Sequence, residues 1–271
     1  MINITDQEFK QLVHYIKENY GIHLKAEKRT LVMGRLASVL QQLNMTSFTE
    51  YIEYVKADTS GQAALVLADK ISTNHTFFMR EPEHFIFFRE NVLPKLSGYV
   101  RDKDLRVWSA GCSTGEEPYT LAMIMDDYFG LQKSAWDTKV LATDISGKVL
   151  ESCKAGTYEE DKIQTLPAHW RRAYFRAAGP GKYAVSNELR NEVIFRRFNL
   201  MEPVFPFKKK FHVIFCRNVM IYFDPPTKRK LVEKFYEWTE PGGYLFIGHS
   251  ETLEREHTKY KYIMPAVYRK E

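Results

Sequence analysis

The chain has 271 residues, 44% hydrophobic and 27% charged, with a formal net charge of +5, the balance of a globular protein able to bury one large core or one medium and one small core. No apolar run approaches the ~20 residues of a membrane-spanning helix, and the segment from Met1 to Asp6 has no signal-peptide profile, so a cytoplasmic chain without membrane insertion is expected. The three cysteines (Cys112, Cys153, Cys216) are far apart and form no C-x-x-C, which argues against a disulfide framework and against a metal site.

Residues 5 to 71 read as four helices. Thr5-x-x-Glu8 is a capping box, followed by Phe9, Leu12, Val13, Ile16 and Tyr20 at helical spacing and by Gly21 as a stop. Leu31 or Val32, Leu36, Val39 or Leu40, and Leu43 predict a second amphipathic helix, Ser47-x-x-Glu50 caps a third, and Ala63 to Ile71 forms a fourth. After residue 100 strands and helices alternate: strand Leu105 to Ala110, helix to Phe129 with Pro118 near its start, strand Thr138 to Thr143, helix Ser146 to Ala155. Strand Phe211 to Cys216, helix Pro225 to Trp238, strand Tyr244 to Ile247 and an edge strand Tyr262 to Arg269 complete the series. Such alternation predicts an α/β fold, a doubly wound and mostly parallel sheet covered on both faces. Residues 157 to 197 interrupt it. Ala173 to Ala177 and Tyr183 to Val185 flank the turn Gly179-Pro180-Gly181, and Glu192 to Phe198 is a further strand-like run, so the segment is expected to be a small antiparallel insertion.

The run Gly111-Cys112-Ser113-Thr114-Gly115 leaves the first strand of the sheet. It matches G-x-S-x-G, a nucleophile elbow with Ser113 as nucleophile and His249 and Asp224 as conceivable partners. It also matches a glycine-rich loop that lets backbone approach a nucleotide-like ligand, or a plain strand-to-helix turn. A nucleophile elbow normally follows several strands, and here only helices lie upstream. Asp144 closes the second strand, where a carboxylate can accept both hydroxyls of a ribose or else cap the following helix. Its distance of 33 residues from Gly111 and the glycine spacing both depart from the NAD fingerprint. Asn199 and the run Cys216 to Phe223 fall where the carboxyl ends of parallel strands gather, and the amide of Asn199 suits an adenine edge. Upstream of the sheet, the polar run Thr73 to Arg80 is placed to close such a site from outside. Residues 201 to 235 hold eight Lys or Arg against three Asp or Glu, including Lys208-Lys209-Lys210 and Lys228-Arg229-Lys230. A solvated face and an acidic partner are the two readings of that excess.

The blocks Thr73-Asn74-His75-Thr76-Phe77-Phe78-Met79-Arg80, Ala110 to Tyr119, Ala142-Thr143-Asp144-Ile145, Asn199-Leu200, Cys216 to Asp224 and Gly248-His249-Ser250-Glu251, in this order behind a helical N-terminal region, make the chain resemble the chemotaxis receptor methyltransferases of the CheR family. The resemblance implies a Rossmann-like, class I methyltransferase sheet with a small antiparallel β insertion at about 157–197, an all-α receptor-facing domain over 1–72 and a catalytic domain over 73–271. It implies S-adenosyl-L-methionine as cofactor, S-adenosyl-L-homocysteine as product and no metal. Asn74, Thr76, Arg80, Glu117, Asp144, Asn199, Leu200, Arg217 and Asn218 are its implied cofactor contacts, with Arg80 and Tyr222 beside the transferred methyl as the catalytic pair.

Methyl transfer to a glutamate carboxylate, already ionised at neutral pH, requires no general base. Positioning is then the task, with Arg80 orienting a carboxylate, Tyr222 holding the other side and Glu117 accepting from the cofactor's ammonium. The implied partner is the glutamate-bearing cytoplasmic coiled coil of a chemoreceptor, approached through Lys25, Lys28, Arg29 and Arg35. The short turn at Ala178 to Lys182 is expected not to bind a C-terminal receptor tether. A monomer that binds no nucleic acid is expected.

Overall fold

The computed structural model describes residues 2–271. Its first unit comprises α1 (Asp6–Tyr20), α2 (Arg29–Gln42), α3 (Phe48–Ala57) and α4 (Gln62–Ile71). The capping box forms as expected: the Glu8 N–H donates to Thr5 Oγ1 at 3.2 Å and the Thr5 N–H to Glu8 Oε2 at 2.7 Å. Glu8 also accepts the Thr49 N–H at 2.8 Å, so one carboxylate ties the starts of α1 and α3 together. Leu12, Ile16, Val32, Leu36, Leu40, Tyr51 and Leu67 fill a separate small core. On α2 Val32, Leu36, Val39 and Leu40 all turn inward, whereas Leu31 and, just past the helix end, Leu43 are exposed.

A polar strap (residues 72–81) leads to α5 (Pro82–Phe87) and α6 (Leu93–Tyr99), joined by a π-helical turn over Phe88–Val92. Pro94 has no N–H to return to the Glu90 carbonyl, which accounts for the widened turn before it. No helix was expected there from the sequence. Its apolar side chains Phe85, Phe88, Val92 and Leu96 are fully buried in the large core of the sheet.

The sheet then follows: β1 (Val107–Ala110), α7 (Glu116–Phe129), β2 (Val140–Asp144), α8 (Gly147–Ala155), β3 (Thr157–Glu159), α9 (Glu160–Ile163), α10 (Ala168–Tyr174), β4 (Phe175–Gly179), β5 (Lys182–Val185), α11 (Asn187–Arg190), β6 (Val193–Arg197), β7 (Phe211–Cys216), α12 (Pro225–Trp238), β8 (Thr239–Ile247), β9 (Lys261–Met264) and β10 (Val267–Arg269). Seven strands run in the order β6-β2-β1-β7-β8-β10-β9, and β3-β5-β4 form a separate antiparallel sheet. β6, β2, β1, β7 and β8 are parallel, whereas β10 pairs antiparallel with β8 and with β9. The order reverses between β1 and β7, so their carboxyl ends diverge and leave a crevice. Trp108 anchors the second face, its ring among Phe205, Phe207, Phe211 and Phe235 and its Nε1 donating to Thr143 Oγ1 at 2.9 Å.

Two strand assignments are corrected. Val193–Arg197, grouped by sequence with the insertion, pairs in parallel with β2 as the edge of the main sheet; its buried Val193 and Phe195 join the main core. Tyr262 to Arg269 is a hairpin of two strands, because Ala266 takes a positive φ of 62° and reverses the chain.

Candidate functional site

At the reversal point lies a cavity of about 410 Å³. Its floor comes from the sheet: Gly111, Cys112 and Ser113 after β1, Glu117 on α7, Asp144 at the end of β2, and Arg217, Asn218, Val219, Ile221 and Tyr222 after β7. Residues 72–77 and Arg80 of the strap close one side, and residues 20–35 of the helical unit close another. The helical unit is joined to this rim by backbone, the His23 N–H donating to the Tyr222 carbonyl at 2.7 Å and Ile22 bridging Phe223. All ten residues singled out from the sequence, Asn74, Thr76, Arg80, Glu117, Asp144, Asn199, Leu200, Arg217, Asn218 and Tyr222, line this one cavity.

Local backbone explains how they arrive there. Gly111 has φ +86° and an added Cβ would stand 2.5 Å from Val219, so only glycine lets the two loops meet. Ser113 (φ 49°), Asn218 (φ 58°), Met79 (φ 59°) and Glu81 (φ 56°) are non-glycine residues in the left-handed region, all at or beside the cavity. Strain of that kind persists only where surrounding contacts over-determine it.

Those contacts are visible. Arg217, whose side chain is 2% exposed, donates to Glu117 Oε2 at 3.0 Å and Glu81 Oε2 at 3.1 Å, and also to the Arg80 carbonyl. Its guanidinium lies 5.0 Å from the centre of the Phe85 ring, while its buried Nε has no partner. Glu81 further accepts from Asn218 Nδ2 at 3.2 Å and from the His249 N–H at 3.2 Å. Burial pushes the Glu81 carboxyl up, but Arg217 and these hydrogen bonds outweigh it and hold it below the usual range. Glu117 also accepts from Ser109 Oγ at 2.7 Å. Arg80 itself folds back on the strap, Nη1 donating to the His75 carbonyl at 2.8 Å.

Asp144 is buried and accepts the Ser113 N–H at 2.9 Å on one oxygen and the Ser146 N–H at 2.9 Å on the other. Desolvation outweighs these bonds and raises its carboxyl to about 6. It does not cap α8; Ser146 does, accepting from the Val149 N–H. The amide of Asn199 donates to the Asn19 carbonyl at 2.7 Å and accepts the Met201 N–H at 3.0 Å, which pins its loop to the end of α1.

The nucleophile-elbow reading is not supported. Ser113 Oγ donates to the Asn74 carbonyl, Asp224 caps α12 through Thr227 and pairs with Lys17 at 2.7 Å, and the His249 ring packs against His84 at 4.5 Å.

Two residues at this site escaped the sequence reading of individual roles: Glu81, described above, and Glu251. The buried Glu251 carboxylate accepts the N–H groups of Asn218 (3.0 Å), Ile221 (2.9 Å) and Gly248 (2.5 Å). Burial still raises its pKa despite those bonds. Glu251→Ala should orphan three backbone donors, at about 1–3 kcal/mol each. A fall in melting temperature of at least several degrees is expected by scanning calorimetry, with Glu251→Gln intermediate.

Fold and site together define a Rossmann-like methyltransferase. The chain matches "CheR methyltransferase, SAM binding domain" over residues 74–268 and "CheR methyltransferase, all-alpha domain" over residues 7–71. It is 44% identical to the chemotaxis protein methyltransferase of Borreliella burgdorferi, across 99% of this chain and 96% of that protein. With the chemotaxis protein methyltransferase of Escherichia coli it shares 36% identity, across 94% of this chain and 88% of that protein. The chain therefore belongs to the CheR methyltransferase family, the S-adenosylmethionine-dependent methyltransferases of chemotaxis. No helix of the described residues is long and apolar enough to cross a membrane.

Proposed function

We propose that the chain methylates glutamate side chains on the cytoplasmic helices of chemoreceptors (methyl-accepting chemotaxis proteins) to methyl esters, the protein-glutamate O-methyltransferase reaction (EC 2.1.1.80 type) that serves adaptation. The observation that carries this reading is the convergence of Arg80 and Tyr222, from outside and inside the sheet, on one cavity with the acidic pair Glu117 and Asp144. The donor set fits S-adenosylmethionine: Asp144 offers acceptors for ribose hydroxyls, Glu117 an acceptor for an ammonium, and the unpartnered Arg217 Nε a donor for a carboxylate. Asn74, Thr76, Arg80, Asn199, Leu200 and Asn218 complete the proposed contacts. When bound, the cofactor supplies a sulfonium-activated methyl group. Arg80 orients the acceptor carboxylate, Tyr222 confines it from the opposite wall, and the strap excludes water. No proton has to move and no metal ion is used in this reading, since the acceptor is ionised at neutral pH.

We assign residues 1–72 as the receptor-facing domain and residues 73–271 as the catalytic domain. Of the four cations Lys25, Lys28, Arg29 and Arg35, the two arginines are engaged within the chain. Arg29 is engaged by the Ile4 carbonyl and Asp6, and Arg35 donates to the Ile71 carbonyl at 2.8 Å and the Ser72 carbonyl at 3.1 Å, capping α4 and tethering the strap. Lys25 and Lys28 remain exposed at the cavity. The reading takes the enzyme as a cytoplasmic monomer that needs no receptor tether and no nucleic acid.

The test is incubation with labelled S-adenosylmethionine and receptor-containing membranes, followed by alkali. Release of volatile methanol identifies a carboxyl ester; alkali-stable label rejects it. Arg80→Ala and Tyr222→Phe are expected to lower kcat by about tenfold or more while the proteins still bind S-adenosylhomocysteine.

A further inference from the structure

Several large apolar side chains face solvent, which singly is ordinary for a protein surface. Three of them share one cavity. Leu31 on α2 is 40% exposed, Phe77 on the strap 43% and Ile221 in the turn after β7 43%, and all three line the mouth of the same cavity. They come from three separate elements, so no single helix or strand pattern brings them together.

The strap shows how the display is built. Phe78 turns inward, its ring 4.9 Å from Tyr158 and 5.7 Å from Phe175, and its neighbour Phe77 is thereby turned out. Ile221 is held by the bond from its N–H to Glu251, and Leu31 stands beside the buried Val32. Exposed apolar surface is costly in water unless a partner covers it.

Charge says what covers it. Lys25 and Lys28 are exposed on the same rim, and neither takes part in an ion pair among the described residues. The acidic residues of the cavity, Glu117 and Asp144, lie on its floor and are bonded to Arg217 and to backbone N–H groups. The rim is thus apolar and cationic, complementary to a partner that is apolar and anionic on one face.

We propose that Leu31, Phe77 and Ile221 form an apolar seat which, with Lys25 and Lys28, grips an acidic amphipathic helix beside its acceptor glutamate. Residues three or four apart share one face of a helix. An apolar side chain three or four positions from the acceptor therefore rests on the seat while the glutamate enters the cavity. The seat rests on the glutamate-methyltransferase reading and adds to it a rule for which glutamates are accepted.

The probe is a helical cytoplasmic fragment of a chemoreceptor, used with the full-length enzyme and labelled S-adenosylmethionine. Phe77→Ser and Leu31→Ser should each raise the KM for the fragment about tenfold, in line with the loss of a hydrophobic subsite contact. Affinity for S-adenosylhomocysteine and kcat should stay within about twofold. Replacing the fragment's apolar residue at three or four positions from the acceptor with serine should raise KM in wild type and have little further effect in Phe77→Ser, the signature of direct contact. An unchanged KM in the triple serine variant of Leu31, Phe77 and Ile221 overturns the seat while leaving glutamate methylation standing. Loss of S-adenosylhomocysteine affinity in that variant also overturns it, by assigning the three side chains to the cofactor. Failure of wild type to esterify any receptor fragment rejects the functional reading and the seat with it.

Discussion

Arg217→Met is expected to lower the melting temperature by about 10 °C and to abolish measurable binding of S-adenosylhomocysteine. Arg217 is buried between Glu81 and Glu117, at 3.1 and 3.0 Å. Both carboxylates are only 14% exposed. Methionine fills much of the volume but leaves two acids without their counter-charge, a loss of about 3–5 kcal/mol for a broken buried pair. At about 2–4 °C per kcal/mol for a chain of this size, the shift is large. In the proposed reading the same change also removes the donor facing the cofactor's carboxylate.

A pH signature separates this cause from simple loss of packing. In the wild type, Arg217 keeps the Glu81 pKa below its ordinary value, so the pair's contribution is present above the unfolded carboxylate pKa and fades as pH falls through the folded one. Without Arg217, burial is opposed only by the bonds from Asn218 Nδ2 and the His249 N–H, so that carboxyl rises relative to its wild-type value. Protonating it then relieves the variant, and the gap between wild type and variant should narrow from pH 7.5 to pH 5. A second change, Glu81→Gln, should recover part of the loss, because neighbours in one network are not additive. A gap that is constant with pH and unaffected by Glu81→Gln would show that packing, not charge, is what Arg217 supplies.

The elements that the sequence made legible are those whose signals are local. The capping box of α1, the stop at Gly21 and the glycine loop after β1 each involve residues a few positions apart, and each forms as expected. β6 was misplaced because alternation in Val193 to Arg197 reveals a strand and not its partner, which lies some fifty residues away in β2. The hairpin at Ala266 was missed because alanine with φ 62° has no compositional mark. For the site, the resemblance named ten positions, and one cavity gathers them. The carboxylates that hold the rim in place were not legible in their roles. Glu251 meets Asn218 across 33 positions and Glu81 meets Arg217 across 136, and no spacing rule predicts such contacts. The intrachain partners of Arg29 and Arg35 were likewise not legible, because the carbonyls that receive a helix-surface cation lie far away in sequence.

In the proposed reading, where Asp144 holds the cofactor's ribose, cofactor affinity is expected to fall about tenfold when the pH is lowered from 7 to 5. Burial raises the Asp144 carboxyl to about 6, against the lowering effect of the Ser146 and Ser113 N–H groups. Two ribose hydroxyls both need to donate, and a carboxylate can accept both; the protonated acid keeps one oxygen as a donor and loses that match. With a pKa near 6, the ionised fraction drops about tenfold between pH 7 and pH 5. Stability of the free protein responds to Asp144 in the opposite sense. A carboxyl raised in the folded state contributes most below its unfolded pKa, and that contribution is lost as pH rises through about 6. His84 and His212, pushed down to about 4 chiefly by burial, act the other way: their contribution is present above the unfolded histidine pKa and is lost as pH falls toward 4. Melting curves therefore mix opposing terms, and binding titrations isolate Asp144. Calorimetric titration with S-adenosylhomocysteine from pH 5 to 7.5 should show the decline in wild type. Asp144→Asn should bind about 100-fold more weakly, a charge-assisted hydrogen bond being worth about 1.5–3 kcal/mol, and show no such pH dependence. An affinity in wild type that stays flat across this range would remove Asp144 from the ribose and leave it as a brace for the backbone of the Ser113 loop.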